Sequence, residues 1–337
     1  MNYWICFFIF LLSFLLTAFF RSYALKKNIL DIPNERSSHH LPTPRGGGVA
    51  IVVTFMTSLV YVYLNHVIPL ADFIGLLSVT FFVAAIGFMD DKYSLSARWR
   101  LIGHFLSAIW GIFWIGGLPD LVFFGINIQL GFIGSVLSVF YLVWMLNLYN
   151  FMDGIDGLAS LEAICVCFGM CILYFVVGAH ELIVLPLSLA MAVLGFLCWN
   201  MPPAKIFMGD AGSSFLGILL GLLSLQAAWH SPKLLWCWLI LLGVFIVDAT
   251  VTLFRRFLRG AKVYEAHRSH AYQFASRHFG KHLPVSLGVS FINIFWLLPI
   301  SLCAALSLMD GAMAFMIAYI PLIFIAFFFH AGERETR

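Results

Sequence analysis

Long apolar runs dominate the chain, parted by short polar stretches at near-regular intervals. Read as helices, the runs fall near 3–20, 47–64, 71–89, 101–116, 130–147, 159–178, 183–199, 214–229, 234–254, 285–306 and 312–329. Each approaches the roughly 20 residues that cross a bilayer core. The run 101–116 is short and carries His104, so it is the weakest of the set. The predicted fold class is an all-α polytopic integral membrane protein of about eleven transmembrane helices. No basic segment precedes the first run, and Arg21 follows it. That predicts a retained helix with its N-terminus outside, not a cleaved signal.

Composition narrows the class. Of 337 residues, 62% are hydrophobic and 10% charged, where a soluble domain carries about 25% charged residues. A sizeable soluble domain is excluded, and one transmembrane helical domain over 1–337 is expected. The basic residues then set orientation. Arg21, Lys26, Lys27, Arg36 and Arg45 lie in loop 21–46; Lys92, Arg98 and Arg100 in 90–100; Lys205 in 200–213. Loop 255–284 carries Arg255, Arg256, Arg259, Lys262, Arg268, Arg277 and Lys281, and the C-terminus Arg334 and Arg337. The opposite face has only Lys233. The basic set is expected to be cytoplasmic, with the C-terminus. This bias supports an odd number of spans. The net charge of +3 is small, but a basic rim suits lipid headgroups or an anionic soluble substrate. No basic-aromatic stripe suggests nucleic acid. The seven cysteines lie mostly inside runs and read as packing residues.

The polar residues at the run ends carry the chemistry. Asp90 and Asp91 close one run, and their side chains point about 100° apart on a helix. One can serve a metal or a proton while the other holds a cation; a solvated helix end is the plain alternative. Asn147, Asn150 and Asp153 recur every three residues, a polar stripe ending an apolar run. Such groups are costly in lipid and face cavities. Asp153-Gly154-Ile155-Asp156-Gly157 then breaks the helix, without the acidic spacing of an EF-hand. In Phe207-Met208-Gly209-Asp210-Ala211-Gly212-Ser213, Gly-rich backbone runs into a helix start, an anion site that Asp210 would repel unless a cation intervened. Mg²⁺ or Mn²⁺ suits such oxygen ligands; the alternative is capping by Asp210 or Ser213. Gly46-Gly47-Gly48 is no P-loop, since no Gly-Lys-Ser/Thr follows. Asp248 lies deep in a run and must face the bundle interior, pairing with an arginine such as Arg255 or reaching into the cavity; a structural role is expected. His267, Arg268 and His270 could grip phosphate or move protons, or simply rest on headgroups. Lone His104, His180 and His230 read as interfacial or packing residues.

Taken together, these residues resemble the polyprenyl-phosphate N-acetylhexosamine-1-phosphate transferases. The matches are Asp31-x-Pro33-Asn34-x-Arg36 with His39 and Gly47-Gly48; Asp90-Asp91; Asn150-x-x-Asp153-Gly154-x-Asp156-Gly157; and Phe207-x-Gly209-Asp210-x-Gly212-Ser213. They follow one another in family order from about residue 31 to 280. The resemblance implies transfer of a sugar 1-phosphate from a UDP-N-acetylhexosamine to a polyprenyl phosphate, with release of UMP. It implies Asp210 as principal Mg²⁺ ligand and Asn150 as a second. It places Asp90 at the lipid phosphate and Gly154 and Phe207 beside uracil. Asp91, Asp153, Asp156, His267, Arg268 and His270 complete the expected catalytic set; Asn147, Arg100 and His39 join the expected substrate contacts. The active site would lie on the cytoplasmic face, built from loops 21–46, 90–100, 148–158, 200–213 and 255–284. Two departures stand out: His267-Arg268-Ser269-His270 replaces the family's adjacent histidines, and Ser37 stands where many members have lysine. Both resemble the branch that initiates bacterial O-antigen synthesis in the inner membrane, often with 6-deoxy-N-acetylhexosamines. A peptidoglycan-precursor transferase is the alternative within the family, and a homodimer is an open state of assembly.

Two rival classes remain at this stage. An ion-coupled transporter would place acids near the midplane on broken helices, which only Asp248 fits. A non-catalytic lipid-binding scaffold explains the basic rim but not the Asn/Asp stripe. UMP release dependent on metal and lipid phosphate separates them.

Overall fold

The computed structural model describes residues 3–33, 41–261 and 267–333. Helices occupy every position where an apolar run predicts one. They are α1 (Tyr3–Lys26), α2 (Gly48–Leu64), α3 (Leu70–Tyr93), α4 (Ala97–Ile115), α5 (Gly131–Met152), α6 (Leu158–Val177), α7 (Val184–Asn200) and α8 (Asp210–His230). There follow α9 (Pro232–Leu241), α10 (Gly243–Leu258), α11 (Ala271–Phe279), α12 (Leu283–Ile292), α13 (Leu298–Ala305) and α14 (Gly311–Phe328). The run 234–254 is a bent pair: α9 and α10 meet at 69°. The run 285–306 is α12 and α13, joined by a π-helical turn at Asn293–Leu297. Among the described residues, eight helices are long and apolar enough to cross a membrane, nine if the bent pair is one span. Helix α2, at 17 residues, is shorter, and α4 carries Arg98, Arg100 and His104.

Helix α8 lies at the centre, with 94% of its apolar window buried, against 17% for α1 at the periphery. It packs on α2, α3, α4, α5 and α9. Small residues allow this. A Cβ at Gly48 would stand 2.4 Å from the Gly212 Cα, and one at Gly87 would stand 2.5 Å from the Asp210 carbonyl oxygen. Without a hydrophobic drive between helices in lipid, such close backbone approach supplies the packing. Further from the site, buried Asn293 donates to Glu162 at 2.5 Å and ties the π-helical turn to α6.

One end of the bundle gathers Arg45, Arg100, the 151–158 and 201–209 turns, α11 and the start of α12. The amphipathic element expected in 255–284 is α11. It buries Ala271, Tyr272, Gln273, Ala275 and Ser276 while Arg277 and His278 close its outer end. At this end β1 (Leu30–Asp31) also pairs with β2 (Thr43–Pro44). At the other end the loop after α4 folds into a hairpin, β3 (Leu121–Phe123) with β4 (Ile126–Ile128). The hydrophobic pattern shows neither pair, because each strand is too short for an alternation to be read.

Gly87→Ala should separate α3 from α8. Overpacking against a backbone carbonyl costs about 1–3 kcal/mol, so the variant should melt several degrees lower in detergent. Gly288→Ala, where a new Cβ meets nothing within 4 Å, should melt at or slightly above wild type.

Candidate active site

The start of α8 organises the site. Asp91, on the last turn of α3, accepts from the backbone N–H of Asp210 at 3.0 Å and of Ala211 at 3.3 Å. The cap therefore comes from another helix, and neither Asp210 nor Ser213 supplies it. The expected anion site at this helix start is corrected too: its N–H groups already hold a carboxylate. Arg45, in the loop before α2, places one Nη atom 2.7 Å from both Asp91 and Asp210. Arg100, on the first turn of α4, lies 2.5 Å from Asp90 and 3.8 Å from Asp210. The result is an alternating row: Asp91, Arg45, Asp210, Arg100, Asp90. Three carboxylates against two guanidinium groups leave one negative charge.

Beside this row is a cavity of about 30 Å³, room for roughly one water. Asp90, Arg100, His104, Asn147, Asn150, Phe151, Asp210 and Ser214 line it. The Asn stripe on α5 thus faces a cavity, as its period predicts. Asn147 donates to the Val143 carbonyl at 2.7 Å, and Asn150 donates to the Ser213 hydroxyl at 3.0 Å. Asp153 sits at the end of α5, where its carboxylate makes no hydrogen bond or ion pair among the described residues. Desolvation, reinforced by the Asp210 charge, pushes its pKa well above the ordinary carboxylate range.

Other predicted residues serve as struts. Asp156 accepts from the Ala204 N–H at 3.0 Å and lies 3.2 Å from His282, tying the 153–157 turn to the 201–206 loop and to the start of α12. Asp248 accepts from the N–H groups of Ala271 and Tyr272, both at 2.9 Å, and from Thr252 at 3.1 Å, with His270 Nδ1 at 3.2 Å. It caps α11, and the pairing with Arg255 is corrected: Arg255 binds the Ala331 carbonyl and Glu333. This removes the one residue that favoured a transporter. Phe207 engages the loop before α2 through its backbone, receiving from Gly47 and donating to Pro44. A Cβ at Gly154 would stand 2.1 Å from the Tyr272 hydroxyl, which itself donates to the Phe151 carbonyl at 2.9 Å. Only glycine lets α11 close on this turn.

His267 and Arg268 are not brought to the Asp210 cavity. They line a separate one with Arg256, Arg259 and Glu333. Burial, with His270 and Arg256 near, pulls His267 down to about 3, so its imidazole is neutral. His270 is buried against Phe151 and Asp248. His39 and Ser37 lie outside the described residues. Sequence reasoning missed Arg45 and His104 as members of the site. Arg45 carries a faint signal, directly preceding the Gly46-Gly47-Gly48 turn; a lone histidine on an apolar face carries none.

A divalent cation fits the donor set. Asp210 and the Asn150 carbonyl offer hard oxygens at the cavity, and Asp153, near enough to feel the Asp210 charge, has a carboxylate without a partner among the described residues. Among the described residues no three His, Cys, Asp or Glu side chains could hold a metal alone. A cation here would need further ligands from a substrate, as Mg²⁺ takes when it binds through one or two carboxylates together with phosphates.

An apolar bundle with carboxylates and guanidinium groups gathered at one end defines a polytopic membrane protein that handles a charged group at the bilayer boundary. The chain belongs to the polyprenyl-phosphate N-acetylhexosamine-1-phosphate transferases, glycosyl transferase family 4, whose family model matches residues 73–228. It is 32% identical over 265 residues to a probable undecaprenyl-phosphate N-acetylglucosaminyl 1-phosphate transferase of Bacillus subtilis, covering 76% of this chain and 72% of that one. It is 30% identical over 294 residues to the undecaprenyl-phosphate alpha-N-acetylglucosaminyl 1-phosphate transferase of Thermotoga maritima, covering 86% and 88%. A phospho-N-acetylmuramoyl-pentapeptide-transferase of Streptococcus pyogenes is 30% identical over 230 residues, covering 63% and 68%.

The raised pKa of Asp153 has a measurable consequence. In cation-free protein the folded state keeps this proton above the unfolded carboxylate pKa of about 3.9. The folded state then binds more protons than the unfolded one, so stability falls as pH rises above the ordinary carboxylate range. Asp153→Asn removes that loss. In chelator, melting curves should show the variant gaining on wild type with rising pH, and Mn²⁺ should narrow the gap. Parallel pH profiles for the two proteins would refute an unpaired Asp153.

Proposed function

We propose that the chain transfers an N-acetylhexosamine 1-phosphate from a UDP-N-acetylhexosamine to undecaprenyl phosphate and releases UMP. The observation that carries this reading is the row Asp91, Arg45, Asp210, Arg100, Asp90 at the end of an apolar bundle. The names of the Bacillus and Thermotoga relatives support the activity and the lipid acceptor. By its basic loops, this end faces the cytoplasm, with the N-terminus outside, in the inner membrane of a bacterium.

Phosphoryl transfer of this kind needs positioning and charge stabilisation more than covalent help. An oxygen of the lipid phosphate attacks the sugar-bearing phosphorus; the bond to the oxygen of the UMP phosphate breaks, and UMP leaves. Asp90 keeps the attacking phosphate deprotonated, with Arg100 beside it to orient that phosphate. Arg100 and Arg45 flank Asp210 and hold the oxygens of the diphosphate. Mg²⁺ or Mn²⁺, held by Asp210 with Asn150 and Asp153, would supply charge neutralisation on the diphosphate. Asp91, Asp156 and Asp248 act through backbone contacts that set these groups in place. For the sugar, the His267-Arg268-Ser269-His270 sequence favours the O-antigen-initiating branch, so GlcNAc or a 6-deoxy sugar such as FucNAc or QuiNAc is the donor we favour.

Asp210→Asn keeps the shape of the side chain and removes its charge. The variant should insert and melt close to wild type yet release UMP at least about a hundredfold more slowly, roughly 2.7 kcal/mol of transition-state stabilisation. Purified protein with undecaprenyl phosphate and a panel of UDP-N-acetylhexosamines reads this out and selects the sugar. Ordinary turnover in the variant would remove Asp210 from the centre.

Asp90→Asn should lower turnover far more than UDP-sugar affinity. An equal loss in both would move Asp90 to the nucleotide side.

A further inference from the structure

His104 lies on α4 one turn beyond Arg100 and is 6% exposed. Its ring makes no hydrogen bond to any described residue, and Nδ1 is sealed from solvent without a partner. Yet it lines the cavity of Asp90, Arg100, Asn147, Asn150 and Asp210. Packing does not account for this. Leucine or phenylalanine would fill the space without stranding a polar atom, and buried polar groups are otherwise almost always bonded. An imidazole in any protonation state found in proteins has at least one N–H to donate. Around it the carboxylates are turned to the arginines, Asp90 Oδ2 to Arg100 and Asp210 Oδ1 to Arg45, and no lining side chain accepts from Nδ1. Asn147 and Asn150 turn their side-chain N–H groups to Val143 and Ser213, and neither side-chain oxygen is bonded to His104 Nδ1. What the ring lacks is an acceptor, beside a guanidinium whose natural ligand is an oxyanion.

We propose that His104 is a substrate-binding residue that donates a ring N–H to a phosphoryl oxygen held beside Arg100. This rests on the phosphotransferase reading above and adds a residue to it. The cavity of about 30 Å³ admits one oxygen reaching in from a phosphate at its mouth, not a whole phosphate. Histidine and arginine at positions i and i+4 of one helix face the same side, so Arg100 and His104 form a two-donor ridge. The phosphoryl group belongs either to the lipid phosphate or to the nucleotide diphosphate, and the two are separable by experiment.

The test uses the full-length protein in detergent, with His104→Leu and His104→Gln. Melting temperature is measured, along with calorimetric affinity for two probes, UDP and undecaprenyl phosphate. His104→Leu should melt at or above wild type, because it removes a stranded polar group. It should also weaken one probe by about tenfold, the loss of one hydrogen bond to a charged group. Loss on the UDP arm assigns the diphosphate; loss on the lipid arm assigns the lipid phosphate. His104→Gln retains a donor and should recover most of the loss. If His104→Leu fails to fold, His104→Phe carries the same comparison. Affinities for both probes within about twofold of wild type in a folded apolar variant overturn the proposal. A wild-type protein that binds neither probe instead overturns the phosphotransferase reading on which it rests.

Discussion

The hold of Asp91 on the start of α8 is the constraint from which the site follows. The first N–H groups of a helix have no partner within the helix, and away from water that deficit is costly. Asp91 reaches across from α3 to satisfy two of them, at Asp210 and Ala211. Two acidic side chains then lie close together, and Arg45 bridges them with one nitrogen. So the carboxylate of Asp210 is fixed relative to α3 and to the loop before α2. It cannot shift without exposing the helix start or breaking the bridge. Asp248 repeats the device on α11, capping Ala271 and Tyr272. The starts of α8 and α11 are thus both filled by protein carboxylates. At these two starts the N–H groups are not free for an anion, which leaves the guanidinium groups of Arg45 and Arg100 as the cationic groups of the row.

The glycines make that hold geometrically available. Asp91 is one turn beyond Gly87, and the absence of a Cβ at Gly87 lets α3 reach the Asp210 backbone. On the other side Gly48 meets Gly212 Cα to Cα, drawing α2 and the Arg45 loop onto the same turn. Gly-rich segments in a phosphate-handling chain invite a reading as phosphate cradles. Here they are contact points between helices, and their effect on the site is transmitted through Asp91 and Arg45.

The sequence made the helices legible and the partnerships only partly so. Apolar runs of span length have one stable answer in lipid, and every run holds a helix. The three-residue period of Asn147, Asn150 and Asp153 showed one face, and two of the three line the cavity with Asp153 just past the helix end. Pairing across the chain leaves no local trace. Arg45 and Asp210 are 165 positions apart, and nothing in either neighbourhood names the other. Asp248 looked like a partner for Arg255 because they are close in sequence; the helix start at Ala271 takes its acceptors instead, and Arg255 finds the Ala331 carbonyl and Glu333. His104 was invisible for a different reason. A single polar residue in an apolar run is ordinarily packing, and only the side chains brought around it by α3, α5 and α8 distinguish this one.

The backbone contacts also divide the acids of this end into two groups. Asp91, Asp156 and Asp248 accept from main-chain N–H groups, so their charge is spent on folding. A variant at any of them disturbs a helix start or a turn before it touches chemistry. Asp90, Asp153 and Asp210 accept from no backbone N–H among the described residues. Two of these are held by arginines, and the third is left unpaired beside them. An arginine is an exchangeable partner: it can turn from a carboxylate to a phosphate of like charge and shape. A backbone N–H at a helix start cannot. The acids whose partners are exchangeable are therefore Asp90 and Asp210, and Asp153 is the one without a partner among the described residues. The sequence already set Asp248 apart as structural; the hydrogen-bond partners add that Asp91 and Asp156 share its backbone role, which the sequence alone does not show.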